Sequence, residues 1–453
     1  MNSKLATIPA VTPEPSVEEK GKGRRLVSLP FVMLRAVSTA GVTLAALIQI
    51  FVFARTMTPE QFSIFILVGA FGYGLWLVDF GIVKYLFVRL RAAHLNRNPE
   101  PMLVKQATLV VLLYASLVLI GAVLCFVLLE ALQAISPLHA LKYTLFFTFT
   151  ALNLVWYALR NISFAVDDYV YFECIEAVRR FASIGFMLAM LVGLPLLAFL
   201  LAVNALWIIV LAVSVTRLLR EKALTTDISG AASSLLSFYR DNRRDLLRSG
   251  TSATADFYIE HLPYLVVPLA FGLGAPTVIL DTIFKFYRGA NLFFHAACEI
   301  VLPTQTHAYA ERDLRTLIRS TLLAFSLCLA PTLAVTGILV VAAEPLFKLL
   351  LGPAATMPPA AVWVIIALLF GNLLQTVSSS LLIHTGYFQA SARVMLLTAI
   401  CATAVGAVSL LTAHTIVHFM AVYAGVYIAG ALLHTVLALR GPVRATRADS
   451  TAS

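Results

Sequence analysis

The chain has 453 residues, of which 60% are hydrophobic and 12% are charged, and its formal net charge is +10. This composition excludes an ordinary soluble domain, because such domains carry about 25% charged residues. The positive charge calls for no nucleic acid partner, since basic loops beside membrane helices account for it.

Runs of about 20 mostly apolar residues, each long enough to cross the hydrocarbon core of a membrane, recur along the chain. They are continuous and rich in Leu, Ala and Val, which favours helices over the alternating strands of a membrane barrel. We therefore predict an all-α polytopic membrane protein. The predicted spans are 28–54, 61–88, 103–130, 140–164, 173–193, 196–219, 251–273, 276–302, 315–343, 357–384, 389–412 and 415–439.

The longest polar connection, 220–250, divides the chain into two halves with six predicted spans each. We predict an N-terminal lobe at 28–219 and a C-terminal lobe at 251–440. Residues 1–27, rich in Pro, Glu, Lys and Ser, are predicted to form a disordered tail. Residues 441–453 are predicted to form a second tail.

Basic residues concentrate in alternate connections, and this asymmetry predicts that both termini and the 220–250 loop are cytoplasmic. An even number of spans agrees with this orientation. Outside that loop, the basic clusters are Lys22, Arg24 and Arg25; Arg89, Arg91 and Arg97; Arg160, Arg179 and Arg180; Arg312, Arg315 and Arg319; and Arg440, Arg444 and Arg447.

The seventh span carries two carboxylates, Asp256 and Glu260, one helical turn apart on the same face. Counted from the cytoplasmic ends of the predicted spans, Glu260 lies at the depth of His295, and Asp256 at that of Glu299. A buried Glu260–His295 pair could relay a coupling proton. Alternatively, these residues form structural ion pairs between neighbouring helices.

The eighth span has a helical stripe of titratable residues, since their spacing follows the helical repeat. A charge at the bilayer centre costs roughly 2.5–3.5 kcal/mol, so such groups must face a watery cavity or partners inside a bundle. This pattern indicates a pathway for a polar cargo. The residues are Asp281, Lys285, Arg288, His295 and Glu299.

Residues 53–86 read FARTMTPEQFSIFILVGAFGYGLWLVDFGIVKYL. This segment resembles the first outer loop and second span of polysaccharide flippases. The Leu-Gly-Pro-x-x-Tyr/Phe-Gly turn of that family corresponds here to 57–63, with Thr58 and Ser63 in place of glycines. The Asp-Leu-Gly of the family corresponds to Asp79-Phe80-Gly81.

Residues 346–355 (LFKLLLGPAA) and 368–394 (LLFGNLLQTVSSSLLIHTGYFQASARV) are similar to the ninth loop and tenth span of the same family. With the span count and the central loop, the resemblance covers nearly the whole chain. It is to the polysaccharide, O-antigen or lipid-linked oligosaccharide flippase family. That family is part of the multidrug/oligosaccharidyl-lipid/polysaccharide exporter superfamily.

This resemblance implies a MATE-like, V-shaped bundle of about twelve transmembrane helices in two six-helix lobes related by a pseudo-two-fold axis. It implies a flippase that moves a polyprenyl-diphosphate-linked oligosaccharide to the outer leaflet of a bacterial inner membrane by alternating access. The product would be lipopolysaccharide, capsule or exopolysaccharide. The implied partners are the lipid-linked oligosaccharide, anionic lipids, and polysaccharide polymerase and chain-length proteins. No cofactor or metal is expected.

A diphosphate cargo needs cations in a low-dielectric cavity, and the planar guanidinium of arginine matches phosphate oxygens. We predict a cationic track made by Arg288 at mid-membrane, Lys285 one turn outward, and Arg35 and Lys84 near the cytoplasmic entrance. Arg288 has no obvious partner on its own helix, so it is the predicted central contact.

Each of these residues also has a structural explanation. Arg35 and Lys84 lie close enough to the inner face to snorkel towards lipid headgroups. Asp281 and Lys285, four residues apart, can neutralise one another. Asp79 can pair with Arg35 or Lys84, which we favour over contact with cargo.

Sugars are recognised by aromatic and amide side chains, and several lie within the predicted spans. Tyr and Trp residues near span ends also form interfacial belts, which is the alternative interpretation. The predicted lining residues are Tyr73, Trp76, Tyr264, Tyr287, Asn291, Asn372 and Gln375.

The second candidate function is a proton- or sodium-coupled multidrug or cation antiporter of the same superfamily. The surplus of membrane-embedded bases over acids without an adjacent base favours an anionic cargo instead. A membrane enzyme is not expected, because every predicted outer loop is short and no nucleophile–base set stands out.

Overall fold

The computed structural model describes residues 29–95, 100–131, 136–241, 243–352, 354–385, 387–412 and 415–443. The predicted tail at 1–27 and most of the tail at 441–453 lie outside these residues. Within the described chain every regular element is helical, which confirms the predicted all-α fold.

The described chain contains fourteen α-helices. In chain order they are α1 (Leu29–Thr56), α2 (Pro59–Gly74), α3 (Ile82–Leu95), α4 (Pro101–Ala131), α5 (Pro137–Ala165), α6 (Tyr169–Ala189), α7 (Leu196–Arg220), α8 (Ala231–Asp241), α9 (Arg243–Phe271), α10 (Ala275–Ala310), α11 (Leu314–Leu351), α12 (Pro359–His384), α13 (Phe388–Leu411) and α14 (Ile416–Ala438).

Each predicted span corresponds to one long helix, except the second, which comprises α2 and α3. By length and apolar composition, 8 helical segments of the described chain are able to cross a membrane. They lie along α1, α2, α4, α7 and α11 to α14. The other four passages, α5, α6, α9 and α10, are too polar to meet that criterion.

The second predicted span, 61–88, is not one continuous helix in the structure. The helix breaks at Asp79, whose carboxylate accepts hydrogen bonds from the backbone N–H groups of Gly81 at 3.2 Å and Val83 at 3.0 Å. Phe80 and Gly81 adopt positive φ angles of 41° and 82°. Asp79 therefore caps the start of α3, as short polar side chains do at helix N-termini.

The N-terminal lobe is formed by α1 to α7, and an aromatic cluster fills its core. Phe53 packs against Phe62, Phe65, Phe146 and Phe199 at centroid distances of 5.7 to 6.3 Å. Such buried aromatic contacts add to the stabilisation that apolar burial provides.

Within each lobe, small residues let neighbouring helices pack closely. A Cβ at Gly72 of α2 would overlap the hydroxyl of Thr150 of α5, and one at Gly430 of α14 would overlap that of Thr398 of α13. Within the C-terminal lobe α12 packs along α14, and α9 packs along α13. Close backbone approach through small residues is the usual way in which membrane helices associate.

The loop predicted at 220–250 is largely helical, since it contains α8 and the first two turns of α9. The remaining connection, 221–230, is docked on α4. Asp227 forms an ion pair with Lys105, with 2.5 Å between Oδ2 and Nζ. It also accepts a hydrogen bond from the Ser229 N–H at 2.9 Å. The bond from Lys105 holds the pKa of Asp227 well below its usual range.

We call the face where α1 begins the inner face and the opposite face the outer face, following the predicted orientation. The two lobes meet at the outer face. Arg55, at the end of α1, donates hydrogen bonds to the carbonyls of Leu349 at 2.6 Å and Leu350 at 3.5 Å, at the end of α11. The N–H of Gly274, between α9 and α10, donates to the hydroxyl of Ser63 of α2 at 3.1 Å.

Candidate cargo site

The titratable stripe of α10 begins with a buried ion pair. Lys285 Nζ lies 2.7 Å from Asp281 Oδ2, and both side chains are less than 10% exposed. A buried pair of this kind neutralises both charges, so Lys285 is not the free cation that the predicted cationic track requires. The structure instead shows the alternative interpretation, in which Asp281 and Lys285 neutralise one another on the same helix.

Arg288 continues the same network through a neighbouring helix. Its guanidinium donates to the hydroxyl of Tyr264 on α9, and that hydroxyl donates to Asp281 Oδ1 at 3.0 Å. The partner missing from its own helix is therefore supplied by α9. The Nε of Arg288 is buried and has no hydrogen-bond partner among the described residues. The Nε–H group of Arg288 could therefore donate a hydrogen bond to a ligand.

The contact between Tyr264 and Asp281 fixes the register of α9 against α10, and with it the depth of the acids. Glu260, one turn inward of Tyr264, lies within electrostatic range of Asp256, Arg288 and Tyr287. By this register Glu260 lies level with Lys285, so His295 lies about ten residues, or about 15 Å, further inward.

The predicted equal depths of Glu260 with His295, and of Asp256 with Glu299, are therefore wrong. They were counted from the inner ends of the predicted spans, on the assumption that both helices end at one level. In the structure α10 has 36 residues and α9 has 29, so α10 extends further. His295 and Glu299 are exposed, well inward of the network around Arg288.

Most of the predicted sugar-lining residues on α10 and α12 are used inside the C-terminal lobe. Tyr287 is buried, with its hydroxyl 2.8 Å from that of Tyr427 on α14. Asn372 donates to the carbonyl of Tyr287 at 3.2 Å. These groups hold α10, α12 and α14 together, which limits their availability to a cargo.

Gln375 and Asn291 are also engaged. Gln375 Nε2 lies 3.3 Å from Asp256 Oδ1 and so joins α12 to α9. Asn291 Oδ1 accepts a hydrogen bond from the Thr376 hydroxyl at 3.2 Å. Tyr264 is buried by its contacts with Arg288 and Asp281.

Tyr73 and Trp76, by contrast, are exposed, and their role as lining residues stays a prediction. Each is 37% exposed on the passage formed by α2, about 14 to 17 residues from its outer end. Trp76 packs on Tyr157 with centroids 4.8 Å apart. Open aromatic rings at mid-depth are suited to stack against sugar rings.

Asp79 was predicted to pair with either Arg35 or Lys84. Asp79 is buried, and besides capping α3 it accepts a 2.6 Å hydrogen bond from Tyr114 of α4. Arg35 lies on α1 and Lys84 on α3, and their side chains lie outside the described part of the structure. Asp79 therefore has a structural role at the helix break.

A second charged cluster occupies α6, where sequence analysis assigned Arg179 and Arg180 to a basic loop flank. That assignment is wrong, because both lie in the middle of the helix, about 15 Å from its start at Tyr169. Glu176 binds Arg179 through two hydrogen bonds of 2.9 and 2.7 Å and also pairs with Arg180. The spacing of three and four residues within an apolar run could have revealed the cluster.

A separate pair, Arg160 of α5 with Glu173 of α6, lies about one turn nearer the inner face. Glu173 is fully buried. This pair joins α5 to α6.

The arginines of α6 and α10 belong to helices that both pack against α1. The Cβ position of Gly41 on α1 is 3.9 Å from Cδ of Arg180, and that of Gly289 on α10 is 3.1 Å from Thr43 of α1. Helix α1 therefore lies between α6 and α10. The Tyr73 hydroxyl is within electrostatic range of both Arg180 and Arg288.

Comparison with solved structures decides the fold. An inward-facing multidrug resistance MATE family transporter of the MOP superfamily aligns with a TM-score of 0.65 over 93% of this chain and 97% of that one, at 12% identity. The chain has the MATE fold. This confirms the predicted twelve-helix, two-lobe architecture.

Two further MATE-fold structures are similar. A MOP superfamily transporter from Pyrococcus furiosus, whose binding pocket is described as having reverse polarity, gives a TM-score of 0.63 at 13% identity. That alignment covers 92% of this chain and 95% of that one. An outward-facing multidrug resistance MATE family transporter gives a TM-score of 0.58 at 13% identity, over 92% of this chain and 96% of that one. No protein-family model and no curated protein matches the chain.

The Asp281–Lys285 pair provides a test of stability. We expect Asp281→Asn to destabilise the protein by roughly 3–5 kcal/mol, because it leaves Lys285 buried without an anion. The measurement is the melting temperature of the purified protein in detergent. The control is Asp281→Asn combined with Lys285→Met, which removes both charges and should recover most of the loss. Equal melting of Asp281→Asn and wild type would contradict a buried pair.

Proposed function

We propose that the chain is a transporter that moves a polyprenyl-diphosphate-linked oligosaccharide across a bacterial inner membrane by alternating access. The MATE fold supports a transporter, since the similar solved proteins are described as transporters. We further propose that both termini are cytoplasmic. The proposed partners are anionic lipids and the polymerase and chain-length proteins of a surface polysaccharide pathway.

The position of Arg288 is the observation that most supports an anionic cargo. It lies at mid-depth between the lobes, is partly exposed, and has a free Nε donor among the described residues. A guanidinium in such a low-dielectric place binds phosphate oxygens strongly. Tyr73 and Trp76 lie on the facing lobe at similar depth, where the sugars of the same cargo would stack.

The second candidate is a proton-coupled antiporter of cationic compounds. Asp256 and Glu260, which lie one turn apart on α9, favour it, because buried acids are suited to binding a proton or cation. The multidrug resistance transporter of similar fold also favours it. Arg288 lies beside Glu260 and would repel a cationic cargo at this position. We therefore rank the antiporter function second.

Reconstitution tests the two functions directly. The purified protein is placed in liposomes that contain a fluorescent polyprenyl-diphosphate oligosaccharide, and an impermeant quencher reports which leaflet holds the label. We expect the protein to make the inner-leaflet label accessible, and to leave ethidium inside matched vesicles that carry a proton gradient. Ethidium export without movement of the lipid would overturn the flippase and establish the antiporter.

If Glu260 carries the coupling proton, it acts through Tyr287 and Arg288 and not through His295. We expect Glu260→Gln to abolish the stimulation of transport by a proton gradient and to leave cargo binding intact. His295→Gln is the control and should retain the stimulation, because His295 lies about 15 Å inward. Undiminished stimulation in Glu260→Gln would reduce the residue to a structural bridge.

A further inference from the structure

We propose that Arg180 of α6 is a second anion-binding residue, which contacts one phosphate of the cargo while Arg288 contacts the other. This inference rests on the proposed function and adds a residue of the N-terminal lobe to its site. Arg180 lay outside the cationic track predicted from sequence, which comprised Arg288, Lys285, Arg35 and Lys84. Four observations support it: charge balance, an unused donor, exposure and position.

The charges on α6 do not balance around Arg180. Glu176 already binds Arg179 through both carboxylate oxygens, and Arg180 shares one of those oxygens. One carboxylate therefore serves two guanidinium groups, which leaves one net positive charge inside the bundle. Buried charge without a counter-ion is costly, so it favours either an anion or a cavity.

Arg180 also has hydrogen-bonding capacity to spare. Its Nε is buried and finds no partner among the described residues, as is the case for Arg288. Buried donors are nearly always satisfied in native proteins, so this donor has capacity for a water or an anion. The same donor is thus free on the two arginines that lie on either side of α1.

The two neighbouring arginines of α6 differ in what they face. The side chain of Arg179 is 5% exposed, and its guanidinium carbon lies 3.8 Å from the centre of the Trp207 ring. The side chain of Arg180 is 22% exposed and points to Gly41 of α1. Arg179 therefore neutralises Glu176 inside the lobe, while Arg180 presents its charge to the interface.

Position completes the argument. Arg180 and Arg288 come from different lobes, both helices pack against α1, and both arginines lie within electrostatic range of Tyr73. Because Glu176 holds Arg180 and Tyr264 holds Arg288, both guanidinium groups are oriented before a ligand binds, which lowers the cost of binding. Two such groups at one level suit two linked phosphates better than a single phosphate.

The experiment is a binding titration of the purified full-length protein in nanodiscs. The probes are geranylgeranyl diphosphate, geranylgeranyl monophosphate and geranylgeraniol, which share a tail and differ in charge. We expect the wild type to bind the diphosphate most tightly. Arg180→Gln loses one charged contact, so its affinity for the diphosphate should fall at least about tenfold. Its affinity for the alcohol should not change. Arg180→Lys should show an intermediate loss, and serves if Arg180→Gln folds poorly.

The matched control is Arg160→Gln combined with Glu173→Gln, which removes one cation and one anion from α5 and α6 and so leaves the net charge unchanged. It should bind the diphosphate as wild type does. Wild-type affinity in Arg180→Gln, with a loss in Arg288→Gln, overturns the role of Arg180 and leaves the proposed function standing. Equal binding of diphosphate and alcohol by the wild type overturns the proposed function itself.

Discussion

Arg288→Ala is expected to stop surface polysaccharide from appearing and to make lipid-linked precursor accumulate at the cytoplasmic leaflet. The substitution removes the cation that faces the N-terminal lobe at mid-depth and, with it, the main electrostatic attraction for a diphosphate. Arg288→Lys keeps the charge and loses the planar fork, so partial export is expected. The measurements are surface polymer by gel analysis and precursor by lipid extraction.

The control is the amount of folded protein in the membrane. Asp281 keeps Lys285 as its partner after Arg288 is removed, so we expect Arg288→Ala to fold. Tyr264→Phe is the companion variant, because it removes the hydroxyl that orients Arg288 and leaves the charge in place. It should reduce export less than Arg288→Ala does. Normal amounts of surface polymer from a well-expressed Arg288→Ala variant would contradict the proposal of an anionic cargo and favour the antiporter function.

Cross-linking the lobes at the outer face is expected to abolish transport completely. Arg55 of α1 joins the last carbonyls of α11, where the negative end of the helix dipole attracts a cation. Alternating access requires α1 and α11 to separate at this face. Arg55→Cys with Leu349→Cys, joined by a short cleavable thiol cross-linker, therefore holds the outer side closed. Transport is measured in liposomes before and after cleavage.

Two features make this test decisive. Ser136→Cys with His139→Cys places a cross-link at the outer end of α5, within one lobe, and should not affect transport. The exposed Cys174 and Cys401 are replaced by serine to prevent side reactions. Recovery after cleavage shows that the protein stayed folded. Full activity of the cross-linked Arg55–Leu349 variant would exclude movement at this contact.

The sequence predicts the passages well, because hydropathy and basic loops report on the membrane directly. It also predicts the ionic stripe of α10, since helical periodicity shows which residues share a face. Periodicity says nothing about a neighbouring helix, and so it missed the bond between Arg288 and Tyr264. The depth of Glu260 against His295 was wrong for the same reason, because only an interhelical contact fixes register.

Arg179 and Arg180 illustrate a different limit. A basic pair near a span end is ordinarily cytoplasmic, and the positive-inside rule treated it so. What places the pair at mid-depth is its counter-ion, Glu176, and the indole of Trp207 on α7. The break at Asp79 escaped detection because hydropathy does not change there, while the backbone turns at Phe80.

The four passages that are too polar to qualify as membrane spans, α5, α6, α9 and α10, come as two consecutive pairs. Three of them carry the arginines and acids of the candidate site. A helix with buried charges enters a bilayer poorly by itself. Each pair must therefore become integrated during synthesis together with its more apolar neighbours, α4 and α7 in one lobe and α11 in the other. The residues proposed to bind cargo thus make biogenesis of the protein a cooperative process.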